Sequence, residues 1–227
     1  MDSDSQLLKE SFNSLPILKK ENFKNLLDYI DGTTASIGIA VPILSAVPTI
    51  RKTFGDIRKR NFLKRCIIFL CNLAIEDVEI DKLNSFMTEL GKHSEEEGYE
   101  TLTEALDKFN NFNKADILAN LVRASVNKDL DPLNFLRACN ALEKVNYSDL
   151  KYLHKYTTDY FEEGLNESLL CSGLIKETGK LADDNDTDNE TNYGISKIGE
   201  EILRYGLNSK QYKYISRGEK VVFFIDG

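Results

Sequence analysis

Along most of the chain, apolar residues recur at intervals of three and four, the pattern of helices with one buried face. Phe23, Leu26, Leu27 and Ile30 form such a stripe behind Pro16, which suits a first helical turn, so residues 1–30 predict two short helices ended by Asp31-Gly32. A longer helix is predicted from about Thr49 to Leu73, with Ile50, Phe54 and Ile57 at helical spacing. Its end, Cys66-Ile-Ile-Phe-Leu-Cys71, is apolar on nearly every side and predicts the central helix on which others pack.

Four stripes follow. Ile80, Leu83, Phe86, Met87 and Leu90 predict one helix; Ser94-Glu-Glu-Glu97 fits a capping box ahead of Tyr99, Leu102, Leu106 and Phe109. Asn113 can cap a third helix, bearing Ile117, Leu118, Leu121 and Val122. Asp131-Pro132 supplies an N-cap and first-turn proline for a fourth, with Leu133, Leu136, Cys139 and Leu142 inward. Short polar joints imply antiparallel neighbours. A further helix from about Tyr147 carries Leu150, Leu153 and Tyr156.

Past Tyr160 the pattern changes. Leu169-Leu-Cys-Ser-Gly173-Leu-Ile175 predicts a short helix turning through Gly173 into a strand. An Asp/Asn-rich loop, the segment Asn192–Ile195, a helix from near Ser196 with Ile198, Ile202 and Leu203 inward, and a strand at Lys220–Ile225 complete the chain. The residues Leu169-x-x-x-Gly173-Leu174-Ile175 and Tyr193-x-Ile195-Ser196-x-x-Gly199-Glu200 resemble a winged-helix module. The expected fold is therefore mainly α: a helical bundle over 1–146, including an apolar and basic segment at 32–65, with a winged-helix-like α+β unit over 147–227.

That segment is the most unusual stretch. Gly32–Ile50 carries no charge, and Arg51–Arg65 carries seven Lys/Arg against the single acid Asp56, in a chain of net charge −8. The uncharged part approaches the length that spans ~30 Å of hydrocarbon. Pro42, Pro48, two glycines and five hydroxyl residues weaken it as a span, so a re-entrant or interfacial segment or a buried loop-and-helix element fits better. Three readings of the basic run stand. It is a solvated helix face paired with the acidic remainder, a nucleic-acid contact, or a surface for anionic headgroups. In the last case Arg51, Lys52, Arg58, Lys59 and Arg60 make the contact, and Ile37, Ile39, Val41, Ile43 and Leu44 insert or join the core.

Other chemistry is sparsely signalled. Cys66, Cys71, Cys139 and Cys171 form no C-x-x-C and read as small core residues in a reducing compartment, with no disulfide or zinc framework. The acidic, polar N-terminus is unlike a signal peptide, and a cytoplasmic location, peripheral at the inner face of the membrane, is expected. His93 in a polar joint and His154 on a helix have no nucleophile or acid nearby in sequence, and no phosphate loop, H-E-x-x-H or G-x-S-x-G occurs. Asp184-x-Asp186-x-Asp188 opens like a calcium loop, yet Asn189 and Ile195 stand where Gly and Glu are needed, so no metal or cofactor is expected. In the winged unit, Glu162, Glu163 and Glu167 on the helix before the first wing strand, with acids at 183–190, oppose phosphate binding.

The order Val41-Pro-Ile-Leu44, Arg58-x-x-Asn61-Phe62-Leu63, Asn113-Lys114-Ala115-x-x-Leu118-x-x-Leu121-x-Arg123-Ala124 is similar to that of a loose group of bacterial and prophage proteins, among them the Abi-alpha abortive-infection family. The resemblance implies membrane association and a part in phage–host conflict, and it brings no catalytic residue. The expected function is a non-enzymatic interaction protein, whose partner is another protein, a second copy of itself or an anionic membrane. A winged-helix regulator that binds nucleic acid is the alternative.

Overall fold

The computed structural model describes residues 57–75, 78–157, 166–180 and 191–207. They are mainly helical, with one small antiparallel sheet. The chain divides into two compact units, Met1–Pro132 and Leu133–Gly227. The helix that begins at Pro132 is thus grouped with the C-terminal unit, whereas the break expected from the sequence fell after residue 146. The helices predicted before residue 31 and the strand predicted at Lys220–Ile225 lie outside the described residues.

The N-terminal unit holds α1 (Ile57–Ile75), α2 (Ile80–Gly91), α3 (Glu95–Lys108) and α4 (Asn113–Val126). The predicted stripes are buried: Leu83, Phe86, Met87 and Leu90 on α2, Tyr99, Leu102 and Leu106 on α3, with Phe109 closing α3. Ser94 caps α3 as expected, its Oγ accepting from the Glu97 N–H at 3.2 Å. The capping residue before α4 is not Asn113, which is already helical; Asn111 Oδ1 accepts the Asn113 N–H at 2.8 Å. Three asparagines in four positions, Asn110, Asn111 and Asn113, offer the same chemistry, and only the backbone selects among them.

α1 contributes Phe62, Cys66, Ile67, Phe69, Leu70 and Leu73 to the core and packs on α4 and α3. α4 is buried more completely still. Its Ala115, Ala119, Ala124 and Ser125 are small enough for neighbours to approach it between the larger Ile117, Leu118, Leu121 and Val122. The α2–α3 hairpin closes on two glycines. A Cβ on Gly98 would stand 2.0 Å from the Met87 carbonyl oxygen, and one on Gly91 would stand 2.5 Å from the Gly98 nitrogen.

The C-terminal unit runs α5 (Pro132–Lys144), a 3-10 segment (Tyr147–Thr157), α6 (Glu167–Cys171), β1 (Ile175–Lys180), β2 (Thr191–Ile195), α7 (Lys197–Glu201) and a π turn (Ile202–Gly206). Pro132 does begin α5, but Leu133 is 56% exposed, contrary to its expected place in the stripe. The buried face of α5 passes instead through Phe135, Ala138, Cys139, Ala141 and Leu142, turning Leu133 outward. Residues 147–157 are 3-10 rather than α. Leu150, Leu153 and Tyr156 are three apart, so at three residues per turn they line up on one side, and all three are buried.

The residues of the winged-helix resemblance meet at one junction. Gly173, at φ +76°, takes the left-handed turn after α6 that favours glycine. Ser196 then ties both ends of the hairpin: its N–H donates to the Leu174 carbonyl (2.9 Å), its Oγ donates to the Gly173 carbonyl (2.7 Å) and accepts from the Gly199 N–H (3.0 Å). Gly199 lies against the Leu174 carbonyl so closely that a Cβ would be 2.2 Å from that oxygen. β1 and β2 pair antiparallel from Ile175↔Ile195 to Lys180↔Thr191, with an irregularity at Thr178.

Gly98→Ala adds a methyl group where only backbone can yield. Although alanine is the better helix former by ~1 kcal/mol, the clash with Met87 dominates, and urea unfolding shows a net loss of about 2 kcal/mol or more.

Candidate functional site

The basic run lies at the start of α1. Arg58, Lys59 and Arg60 occupy its first turns, while Arg51, Lys52 and the apolar positions Ile37, Ile39, Val41, Ile43 and Leu44 lie outside the described residues. Consecutive helical positions fan ~100° apart, so Arg58, Lys59 and Arg60 do not form one stripe. Arg58 stands on the line of Phe62 and Arg65, whereas Arg60 shares a side of the helix with Lys64.

The last two members of the run are engaged with the protein. Arg65 is buried beneath the C-terminus of α3, its Nε donating to the Leu106 carbonyl (2.5 Å) and its Nη2 to the Asp107 carbonyl (3.1 Å). Asp107 Oδ1 lies 3.5 Å from the same Nη2. The last carbonyls of a helix lack intrahelical partners and carry the negative end of its dipole, so a guanidinium there satisfies acceptors and charge together. Lys64 is half-buried, its Nζ 5.3 Å from the centroid of Phe112.

A second polar constellation, absent from the sequence-based expectation, occupies the seam between α1 and α4. Asp116, Asn120 and Arg123 recur at i, i+4 and i+7 on α4 and meet Asn72 of α1. Asn72 Nδ2 donates to the Asp116 carbonyl (3.1 Å), to Asp116 Oδ1 and to Asn120 Oδ1 (3.4 Å). Arg123 Nη1 donates to the Asn72 carbonyl (2.6 Å) and to Asn72 Oδ1 (2.8 Å), and Nη2 to Asn120 Oδ1. Arg123 therefore does for the last turn of α1 what Arg65 does for α3. Burial pushes the Asp116 carboxyl above its ordinary 3.8, with the Arg123 guanidinium and the Asn72 amide pulling it back. The sequence signal for this seam was weak but present: polar residues set inside apolar runs, Asn72 in Phe69–Leu73 and Asn120 and Arg123 in Ile117–Ala124.

The remaining candidates read as local structure. His93 is exposed, its N–H bonding Gly91 (2.7 Å), and His154 Nδ1 donates to the Lys151 carbonyl within its own turn (2.7 Å). Cys66 and Cys139 are buried, and burial pushes the Cys139 thiol up to about 12. Cys171, by contrast, is exposed at the end of α6 and is not the core residue expected. Among the described residues no three of His, Cys, Asp and Glu gather to hold a metal; the Asp184 motif lies outside them. None of the described helices is long and apolar enough to cross a membrane. No family model, curated protein or solved structure matches the chain.

Two outcomes follow from the seam. Because Asp116 holds its proton more tightly when folded, its contribution is full below the unfolded value near 3.8 and lost as pH rises through the folded one. Asp116→Asn, which mimics the neutral acid, accordingly gains stability relative to wild type between about pH 4 and about pH 7, read by urea unfolding at both. Arg123→Met takes a donor from the Asn72 carbonyl, Asn72 Oδ1 and Asn120 Oδ1 and removes the cation that favours ionised Asp116, so it loses about 2–3 kcal/mol, more at about pH 7 than at about pH 4.

Proposed function

We propose that the protein is a non-enzymatic interaction protein that meets an anionic membrane surface through the basic segment leading into α1. It would act as a peripheral protein on the cytoplasmic face. The observation that carries this reading is the anchoring of α1. From Phe62 to Leu73 the helix is packed into the core, and Arg65 pins it to the end of α3. The backbone positions of Arg58, Lys59 and Arg60 open this anchored helix just before Phe62, which gives the basic segment a rigid support. Their density in a chain of net charge −8 favours a partner that is itself a surface of negative charge.

The C-terminal unit is read as a module for a protein partner or a second copy. The order helix, Gly173 turn, β1, β2, Ser196-capped helix supports a winged-helix type of module. The exposed Glu167 on its first helix disfavours phosphate there. The setting implied by the resemblance to the Abi-alpha family is phage–host conflict.

Flotation with vesicles of phosphatidylglycerol and phosphatidylcholine tests the membrane reading. Each basic residue near such a surface is worth ~1 kcal/mol, so replacing Arg51, Lys52, Arg58, Lys59 and Arg60 with Gln lowers partition at least about 100-fold, and added salt lowers that of the wild type. Equal recovery of both proteins, or of neither, rules the reading out. Salt-sensitive retention on DNA that vanishes in the variant would favour nucleic acid instead.

A further inference from the structure

Phe112 and Leu133 are the two large hydrophobic residues exposed among the described residues. Phe112 is set apart by its neighbours. It stands at the entry to α4, where the backbone of the preceding loop is fixed by Asn111 Oδ1 on the Asn113 N–H and by the Phe112 carbonyl on the Ala115 N–H (3.0 Å). Across from it, α1 presents Lys64, whose ammonium lies over the ring at 5.3 Å. One turn earlier on the same side of α1 is the position of Arg60. An apolar ring on a fixed loop thus adjoins a cation, Lys64, on the helix that carries the basic run.

From this arrangement we propose that Phe112 is the apolar anchor of the membrane contact, entering the headgroup–acyl boundary of an anionic bilayer while Lys64 stays at the level of the phosphates. The inference rests on the membrane reading of the basic run and names the residue that gives it depth. Phe has no polar group to satisfy on entering the boundary, and Lys can keep its charge in the headgroups while its methylenes lie along the ring. A single-stranded nucleic acid would use the same ring differently, by stacking a base on its face. That face is where the Lys64 ammonium lies, so lipid is the better match.

The chain contains no tryptophan, which makes Phe112→Trp a one-reporter protein. With phosphatidylglycerol vesicles its fluorescence shifts to the blue. Brominated lipids quench it most strongly when bromine sits at a shallow acyl position, consistent with insertion of ~5–10 Å. Phe112→Ala lowers vesicle partition about five- to tenfold while its circular dichroism stays that of the wild type. If the Phe112→Trp protein floats with vesicles but its emission neither shifts nor is quenched, Phe112 is not the anchor although the membrane reading survives. Quenching by an oligonucleotide and not by brominated lipid assigns the patch to nucleic acid, and absence of flotation removes the membrane reading itself.

Discussion

In the N-terminal unit, the ends of two helices are closed by arginines that belong to other helices. Arg65 reaches from α1 to the carbonyls of Leu106 and Asp107 at the end of α3, and Arg123 reaches from α4 to the carbonyl of Asn72 in the last turn of α1. A buried helix C-terminus without such partners leaves acceptors stripped of water, at a cost of about 1–3 kcal/mol for each group. Apolar packing alone cannot meet that demand, because Leu and Phe contribute no donors. The same contacts also fix geometry: a guanidinium holding two carbonyls permits little sliding or rotation of α1 against its neighbours. The orientation of the basic first turns of α1, and hence any surface they form, depends on this constraint.

The C-terminal unit solves a comparable problem with smaller groups. Ser196 gathers the Gly173 and Leu174 carbonyls and the Gly199 N–H, and Gly199 is admitted only because it lacks a Cβ. Asn166 caps α6 through the Leu169 N–H while its own N–H donates to the Tyr156 hydroxyl, joining the helix to the 3-10 segment. α5 is tied in by Asn134, whose amide donates to Glu201 Oε1 at 2.9 Å. Where the first unit relies on long charged side chains that bridge helices, this one relies on short side chains at turns. α6 and α7 have five residues each, so their ends lie close to turns that short side chains can reach.

Helix existence was readable from the sequence because burial on one face imposes its own period: the stripes of α2, α3 and α4 fall where the spacing placed them. Ser94, Pro132 and Gly173 were readable for a similar reason, since each acts on backbone within three residues of itself. What escaped the sequence involves partners far along the chain. Arg65 counted as one more charge in a basic run, yet its acceptors lie 41 and 42 residues away, and those of Arg123 include one 51 residues away. Nothing local marks a charge as buried. Leu133 shows the converse: it keeps the spacing of a core position, but the face of α5 that is buried passes beside it. The 3-10 segment was marked only by the spacing of three in Leu150, Leu153 and Tyr156, which a helical stripe also allows.

Equilibrium unfolding of Arg65→Met bears most directly on whether α1 is held by its arginine caps. Methionine retains much of the apolar stem and removes every donor, so with the buried Leu106 carbonyl and the half-buried Asp107 carbonyl deprived of it the variant is less stable by about 2–4 kcal/mol, and the loss is not recovered by high salt. A variant within about 0.5 kcal/mol of the wild type would contradict this and show that α1 is held by hydrophobic packing alone.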